Sequence, residues 1–413
     1  MEIALYAHPP DIRALYDNGG LVRLRDIGIT EVVMAVGGQA GRALVPWHPD
    51  GLVRHLEGGT VHYRPKGNYG LLQPKMSREV PASGPSPLER LCEEAAAVGM
   101  RVRAWTVLTH NARLGALHPD CCMQNAFGDV YPYALCPANP HVQQYMLATI
   151  RDLAAHRGLH TTELESFGWM GHRHDGDHDE SCFPADIYSD LLLSLCFCAS
   201  CTATMAGLRY ESTPVGAAAV ARWRLGVAVA LRRHFAAADC IDWQPPRLAV
   251  GALLERLQSE FGPEFLTVLG HRIATLIGLA TQLAPLRRAG CGLALQTHFD
   301  PLRDSAGVPV AALGGLFDEV ALTTYGQGPD GVAAAMPHLL AARGAALEPP
   351  LSPQQWPRLR LCLQPRAPLY RSNDDLESVR ALCASRDLAS VAIHQFGLLP
   401  GRTLERVAAA FRD

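Results

Sequence analysis

Short apolar runs, many rich in β-branched residues, recur along the chain, and polar or aromatic residues follow each of them. Continuous runs of this kind are typical of strands that are buried on both faces of a parallel sheet. Stretches with the apolar spacing of amphipathic helices separate most of them. The predicted strands are Glu2–His8, Glu31–Val36, Arg101–Leu108, His160–Phe167, Gly292–His298, Glu319–Tyr325, Arg358–Gln364 and Ser390–Phe396.

Eight strands that alternate with helices favour a (β/α)8 TIM barrel, an α/β fold that requires this number. A doubly wound open sheet is the alternative. The strand–helix pair at the C-terminus, with a helix predicted over Leu404–Phe411, favours the barrel. We therefore expect residues 1–413 to form one barrel domain.

Local signals mark where helices begin. Ser86 and Glu89 have the spacing of a capping box. Asn139 before Pro140 predicts the start of the helix that precedes the fourth strand. A helix-like pattern also spans Asp11–Ile27, between the first two strands.

Two long segments interrupt this alternation, and both follow the C-terminal ends of strands, where barrel enzymes carry their active sites. One is a loop over 37–85, after strand two. The other, 168–290 after strand four, is predicted to be a helical insertion that carries a cysteine cluster. The aromatic and imidazole side chains of the loop over 37–85 could stack on a sugar, or they could pack the loop against the rest of the protein. They are Trp47, His48, His62, Tyr63 and Tyr69.

Composition and charge exclude several functions. With 37 Lys and Arg against 40 Asp and Glu, the net charge of −3 argues against a nucleic-acid partner. The chain has no run of 18 apolar residues and no basic leader before an apolar core, so we expect no membrane partner and a cytoplasmic location. Phosphate-binding glycine motifs and a G-x-S-x-G elbow do not occur. The sequence leaves open whether the chain forms a homo-oligomer.

Three cysteines, Cys196, Cys198 and Cys201, lie within six residues. Thiolates are the soft ligands that zinc prefers, and an all-thiolate site has no open position, so such an ion would be structural. Small buried residues at a helix end are the alternative. The candidates for a fourth ligand are Cys121, Cys122, Cys136, Cys182, His172, His174 and His178. The three histidines, with neighbouring aspartates, could also bind a second ion or form a solvated loop.

Two segments resemble the zinc-containing β-galactosidases of glycoside hydrolase family 42. Residues 133–140 read Tyr-Ala-Leu-Cys-Pro-Ala-Asn-Pro, and residues 165–168 read Glu-Ser-Phe-Gly and precede the cysteine cluster. The resemblance covers about residues 100–201. It implies a (β/α)8 enzyme with a structural zinc on Cys136, Cys196, Cys198 and Cys201, and with Glu165 as the acid/base carboxylate. The chain departs from the family at Leu164, which replaces an asparagine, and at Gln364, which lies where the family has its nucleophile.

The carboxylates of the fourth strand, Glu163 and Glu165, share one face by the period of two. We expect both to point into the barrel, although an outward pair with a helix arginine is the alternative. Glu165 lies nearer the C-terminal rim and is the predicted general acid, with a pKa raised by burial. The second catalytic carboxylate would be Asp300 or Glu163, but Asp300 could equally cap the helix that Pro301 begins.

Polar residues follow nearly every predicted strand, which favours a lined sugar pocket. The predicted substrate-binding residues are His8, His110, Asn111, His298, Tyr325, Gln364, His394 and Gln395. Together these features predict a glycoside hydrolase that acts on a small-molecule carbohydrate. One alternative is a metal-dependent sugar isomerase or lyase, with ligands drawn from Glu163, Glu165, His298, Asp300 and His394. The other is a non-catalytic sugar-binding barrel, which Gln364 suggests.

Overall fold

Eight parallel strands pair in a closed ring, because β1 is hydrogen-bonded to both β2 and β8. The strands are β1 Glu2–Ala7, β2 Glu31–Gly38, β3 Arg101–Val107, β4 Thr161–Glu165, β5 Gly292–His298, β6 Glu319–Thr323, β7 Arg358–Leu363 and β8 Ser390–Ile393. The computed structural model describes residues 1–16, 19–38, 40–45, 51–173, 181, 183, 186–237, 244, 248–288, 290–298, 310–344, 350–399 and 401–412. The predicted barrel is confirmed, and the open sheet is excluded by the β1–β2 pairing.

Helices surround the ring. In the described ranges they are α1 Pro9–Tyr16, α2 Gly20–Asp26, α3 Pro87–Ala97, α4 Ala112–Leu117, α5 Pro140–Ala154, α6 Ile187–Ser194, α7 Ala199–Ala206, α8 Gly216–Ala236, α9 Val250–Phe261, α10 Thr267–Arg288, α11 Val310–Leu313, α12 Pro329–Leu340, α13 Asn373–Ser385 and α14 Gly401–Arg412. Short strand pairs lie outside the ring at Gly41–Leu44 with Val53–Leu56, Thr60–Val61 with Lys75–Met76, Cys122–Gln124 with Val130–Leu135, and Arg209–Tyr210 with Thr213–Pro214.

The predicted helix starts are confirmed at both positions. Ser86 and Glu89 form a reciprocal capping box at the start of α3, and the Asn139 side chain accepts a hydrogen bond from the first turn of α5. The single helix over Asp11–Ile27 is wrong, because two helices, α1 and α2, occupy this stretch. Gly19 has a φ of 69°, a left-handed conformation that a continuous helix does not allow.

Side chains of the strands divide between two cores. One set packs outward beneath the helices, as in Leu5, Val32 and Leu295. The inward set contains fewer residues, which are Ala4, Tyr6, Val33, Ala35, Trp105, Ala321, Cys362 and Ala392. The alanines of this set leave space for charged and polar side chains. These side chains occupy two layers of the barrel interior.

One described helical stretch, Pro263–Arg287, is long and apolar enough by length and composition to cross a membrane. It packs against α5 and β5 as an outer helix of the barrel. The core helix of a soluble protein has the same composition, so the expectation of no membrane partner stays a prediction.

Candidate active site and candidate metal centre

Glu165 is the last residue of β4, and its side chain points into the barrel. The Nε1–H of Trp105 donates a hydrogen bond of 2.7 Å to its Oε2. The Nε2 of His298 lies 3.2 Å from its Oε1. The side chain remains 12% exposed, so the carboxylate is held from two neighbouring strands and still reaches the C-terminal mouth.

The backbone that follows Glu165 is held in an unusual conformation. Ser166 has a φ of 53°, which side-chain-bearing residues seldom adopt and which costs about 1–3 kcal/mol. The Thr109 hydroxyl lies 2.7 Å from the carbonyl oxygens of both Ser166 and Gly168. These contacts fix the turn that presents the carboxylate.

The expectation that burial raises the pKa of Glu165 is wrong for this geometry. Burial alone would raise the pKa, but the hydrogen bonds from His298 and Trp105 and the positive charges of His298 and His110 outweigh it. The pKa therefore lies below its ordinary value. A carboxylate with this pKa needs a further source for the proton that a general acid delivers.

A ring of aromatic and imidazole side chains surrounds Glu165. The ring centre of Trp105 lies 5.8 Å from that of His8 and 6.1 Å from that of His394. The ring centre of Tyr325 lies 4.3 Å from that of His394 and 6.2 Å from that of His298. Strands β1, β3, β5, β6 and β8, or the residues just after them, thus contribute to one cluster.

Two histidines of this ring, His8 and His394, are neutral at pH 7. Burial lowers the pKa of His8 to about 4 and that of His394 to about 3. Among the described residues, neither the buried Nδ1 of His394 nor the buried Oε1 of Gln395 has a hydrogen-bond partner. Buried polar atoms of this kind are normally paired, so these two suit the hydroxyl groups of a ligand.

The remaining predicted pocket residues have varied places. His110 is buried beside Tyr133 and lies near enough to Glu165 to lower its pKa. Asn111 caps α4, since its Oδ1 accepts the backbone N–H of Leu114, which is a structural role that its position after β3 did not reveal. Gln364 follows β7 and is half-buried. Asp300 lies outside the described residues.

Glu163, one pleat below Glu165, is fully buried in an ion-paired layer. Its Oε2 accepts a hydrogen bond of 2.9 Å from Arg103, and its Oε1 accepts one from Tyr6. Arg103 and Arg360 also pair with Glu31 and Glu319 at 2.6–3.2 Å. Both carboxylate oxygens of Glu163 are engaged inside the barrel, which favours a structural role over catalysis.

Two tyrosines of the long segment after β2 are packed against the rest of the protein. The hydroxyls of Tyr63 and Tyr69 lie 3.2 Å apart, and that of Tyr69 donates to Asp152 of α5 at 2.7 Å. Both rings are buried. Tyr63 and Tyr69 therefore pack the loop against the protein and are not available to stack on a sugar. His62 lines a small cavity with His8 beside the mouth. Trp47 and His48 lie outside the described residues.

Four buried thiols converge in a second site. The Sγ of Cys136 lies 3.4 Å from that of Cys201, 3.6 Å from that of Cys198 and 3.8 Å from that of Cys196. All four ligand atoms lie within 4.8 Å of one another. Four sulfurs at about 2.3 Å from a tetrahedral ion would be about 3.8 Å apart, so the set fits a metal centre.

The surroundings of the thiols also fit a metal. Cys136 comes from the excursion after β3, and the other three come from the junction of α6 and α7. The buried Arg272 of α10 lies within electrostatic range of three of them, where a guanidinium offsets part of the charge of four thiolates. The described cysteines form no disulfide.

The other candidate ligands are not in this cluster. Cys121 and Cys122 are buried but outside it, and His172 lies 3.3 Å from Asp190. Cys182, His174 and His178 lie outside the described residues. In the described part of the chain, the four thiols are the one group of three or more His, Cys, Asp or Glu side chains that could hold a metal ion.

Two members of the active-site cluster, Trp105 and Thr323, were not predicted from the sequence. Trp105 lies within an apolar run. The one sign that its side chain points inward is that it lies two residues after Arg103 and so shares a strand face with it. Thr323 contacts His298, but in the sequence it has no feature that distinguishes it from other strand residues. Cross-strand neighbours of this kind depend on register, which the sequence does not display.

No family model and no curated protein matches the chain. Among solved structures, the chain is similar over its whole length to a β-galactosidase of the psychrophilic Marinomonas ef1, with a TM-score of 0.51 and 12% identity. It is also similar to the polyextremophilic β-galactosidase of the Antarctic haloarchaeon Halorubrum lacusprofundi, with a TM-score of 0.53 and 13% identity over the whole chain. The chain spans 59% and 57% of those two proteins. At this identity the likeness shows the fold alone.

Proposed function

We propose that the protein hydrolyses glycosidic bonds, with Glu165 as the group that protonates the departing oxygen. The observation that carries this proposal is the position of Glu165 at the mouth of the barrel. It is the end residue of a strand, points inward, is held by Trp105 and His298, and remains partly exposed. Barrel enzymes carry their catalytic groups at this end of the strands. The β-galactosidases that share the fold are consistent with the proposal.

The surrounding ring suits a carbohydrate. Neutral imidazoles and amides can both donate and accept hydrogen bonds, as the hydroxyl groups of a sugar require. The faces of Trp105 and Tyr325 provide apolar surface for the C–H groups of a pyranose. We assign substrate contacts to His8, His110, His298, Tyr325, Gln364, His394 and Gln395.

The reaction also needs a group opposite the acid, because the transition state develops positive charge at the anomeric carbon. Asp300 is the proposed second carboxylate. In the sequence it follows His298 by two residues, which is the spacing at which residues of one strand share a face. A carboxyl separation of about 5–5.5 Å would give retention of configuration, and one of about 6.5–9.5 Å would give inversion.

The proposed metal is a structural zinc on Cys136, Cys196, Cys198 and Cys201. Four thiolates fill a tetrahedral shell, so the ion would have no position for a substrate. It would join the excursion after β3 to the helices after β4. We expect it to stabilise the segments that frame the mouth and to take no part in bond cleavage.

A screen of the full chain against a panel of 4-nitrophenyl glycosides and the matching free sugars tests the proposal. Release of nitrophenol from at least one glycoside is the expected result, and Glu165→Gln should lose far more activity on an alkyl glycoside of the same sugar than on that nitrophenyl glycoside. Saturable binding of a sugar without turnover of any glycoside would contradict it. That outcome would support the sugar-binding barrel, which Gln364 favours because it replaces a carboxylate at the end of β7.

A further inference from the structure

The side chains of Thr323 and His298 continue from Glu165 as a hydrogen-bonded series across three strands. The Nε2 of His298 faces Oε1 of Glu165 at 3.2 Å, and its Nδ1 contacts the Thr323 hydroxyl. The same hydroxyl lies 3.1 Å from the backbone carbonyl oxygen of Thr297. Glu165 comes from β4, His298 from β5 and Thr323 from β6.

The carbonyl oxygen at the end of this series constrains the protons. A carbonyl oxygen can only accept, so the single hydroxyl proton of Thr323 points to Thr297. The hydroxyl oxygen must then accept a proton from Nδ1 of His298. A neutral His298 with its proton on Nδ1 presents the lone pair of Nε2 to Glu165.

Two acceptors cannot form a hydrogen bond, so the contact between Nε2 and Oε1 needs a proton of its own. We propose that Thr323 fixes His298 in the Nδ1–H form, so that Glu165 and His298 share one proton, which the pair delivers to the leaving group. In this scheme Thr323 is a positioning residue, and His298 holds the shared proton with Glu165. The inference rests on the proposed function of Glu165 as the acid.

Sharing explains how a carboxylate with a lowered pKa can act as an acid. The proton resides on His298 as an ion pair or on Glu165 as a neutral pair, and the two states interconvert by a transfer within one hydrogen bond. On delivery, the O–H bond to Glu165 breaks as the bond to the glycosidic oxygen forms. The pair is left as a carboxylate beside a neutral imidazole, and a proton from water restores it.

Other groups around the pair will influence its titration. His110 faces Glu165 from the end of β3, Tyr325 from the end of β6 faces both Glu165 and Glu163, and His394 faces His298 from β8. Trp105 donates to Glu165 but does not titrate. A change in the pH profile of activity therefore belongs to the pair and its neighbours and not to one group alone.

Nitrogen NMR of the full chain labelled with ¹⁵N-histidine tests the arrangement without any substrate. Loss of one signal set in His298→Gln assigns the residue. We expect Nδ1 of His298 to carry a proton in every protonation state of the pair, so that any proton lost from the ring as the pH rises leaves from Nε2. A neutral His298 with its proton on Nε2 and a bare Nδ1 would overturn the inference, whatever the activity.

Kinetics supply the second test. Thr323→Val removes the hydroxyl and keeps the shape, so His298 is free to place its proton on Nε2 and donate to a Glu165 carboxylate. We expect the basic limb of the kcat/KM profile to move down by about one pH unit, and Thr323→Ser to restore it. An unmoved limb in Thr323→Val would contradict the relay. A protonated Nδ1 together with an unimpaired Glu165→Gln would instead refute the proposed function and leave the hydrogen-bond series intact.

Discussion

The inward side chains of the barrel form two layers that shift the pKa of a carboxylate in opposite directions. Strand β4 contributes one carboxylate to each layer. Glu163 lies in the lower layer, where burial raises its pKa despite the nearby arginines. Glu165 lies two residues later in the upper layer, where the pKa is lowered because hydrogen bonds from His298 and Trp105 outweigh burial. Burial alone therefore does not decide the charge of an inward carboxylate.

The difference follows from the neighbours that each layer provides. In the lower layer three carboxylates, Glu31, Glu163 and Glu319, face two guanidiniums, those of Arg103 and Arg360. One carboxylate is in excess, so the two guanidiniums do not offset the effect of burial on the pKa of Glu163. The upper layer holds aromatic and imidazole rings and, among the described residues, buried polar atoms without a hydrogen-bond partner, and these suit a ligand better than a structural ion pair does.

The metal centre lies in neither layer, and its disruption should have the largest effect on stability. Cys198→Ser removes one of four ligands, and structural zinc contributes about 10–16 kcal/mol in small zinc-dependent peptides. We expect the variant to lose bound zinc and a large part of its unfolding free energy. Metal analysis and denaturant unfolding measure both. Cys291→Ser, which alters a buried thiol outside the cluster, should keep one zinc per chain.

The lower layer should respond to loss of an arginine as a structural unit. Arg103→Met leaves three buried carboxylates with one guanidinium, and removal of one partner from a buried ion pair costs about 3–5 kcal/mol. Urea unfolding of the variant measures this loss. The matched control is Arg101→Met on the same strand, because Arg101 pairs with Glu2 at a half-exposed position. The cost there should be about 0–1 kcal/mol. Equal costs for the two variants would refute the distinction.

Acid should destabilise the lower layer through Glu31. Its pKa is lowered to about 2, because the charges of Arg103 and Arg360 outweigh the effect of burial. A lowered pKa in the folded state gives stability that is present above the ordinary value of 4.5 and is lost as the pH falls toward 2. The expected loss is on the order of 3 kcal/mol. Unfolding free energies of wild type and Glu31→Gln across this range measure it, and a parallel decline in both would contradict the assignment.

Glu163 should show a smaller effect of opposite sign. Because its folded pKa is raised, folding favours the protonated form, and the associated stability falls as the pH rises above 4.5. Glu163→Gln resembles that protonated form, so its disadvantage relative to wild type should shrink between pH 4.5 and pH 7. Urea unfolding at several pH values tests this. A disadvantage that grows with pH would mean that Glu163 is ionised in the folded protein.

Much of the fold could be predicted because parallel barrel strands are continuous apolar runs. All eight strands were located, with their ends displaced by a few residues. The cysteine cluster was visible for a similar reason, since three of its thiols are close in sequence. Cys136, 60 residues before Cys196, was separated from other candidates only by the resemblance to family 42.

The candidate site was only partly predictable, because its properties depend on contacts between strands. The period of two showed that Glu163 and Glu165 share a face, but the pairing of Glu163 with Arg103 depends on register across β3 and β4. The pKa of Glu165 depends on His298, which lies 133 residues further along the chain. Asn111 resembles a pocket residue in the sequence, yet its amide caps a helix.

The most direct test of the account compares two leaving groups in Glu165→Gln. A general acid is worth about 10²–10⁴-fold for a leaving group that must be protonated. We predict a loss of that size in kcat on an alkyl glycoside and a much smaller loss on the matching 4-nitrophenyl glycoside, whose phenol departs without help. Glu377→Gln, an exposed change on α13, should leave both rates unchanged. Equal losses on both substrates, or full activity on both, would show that Glu165 is not the acid.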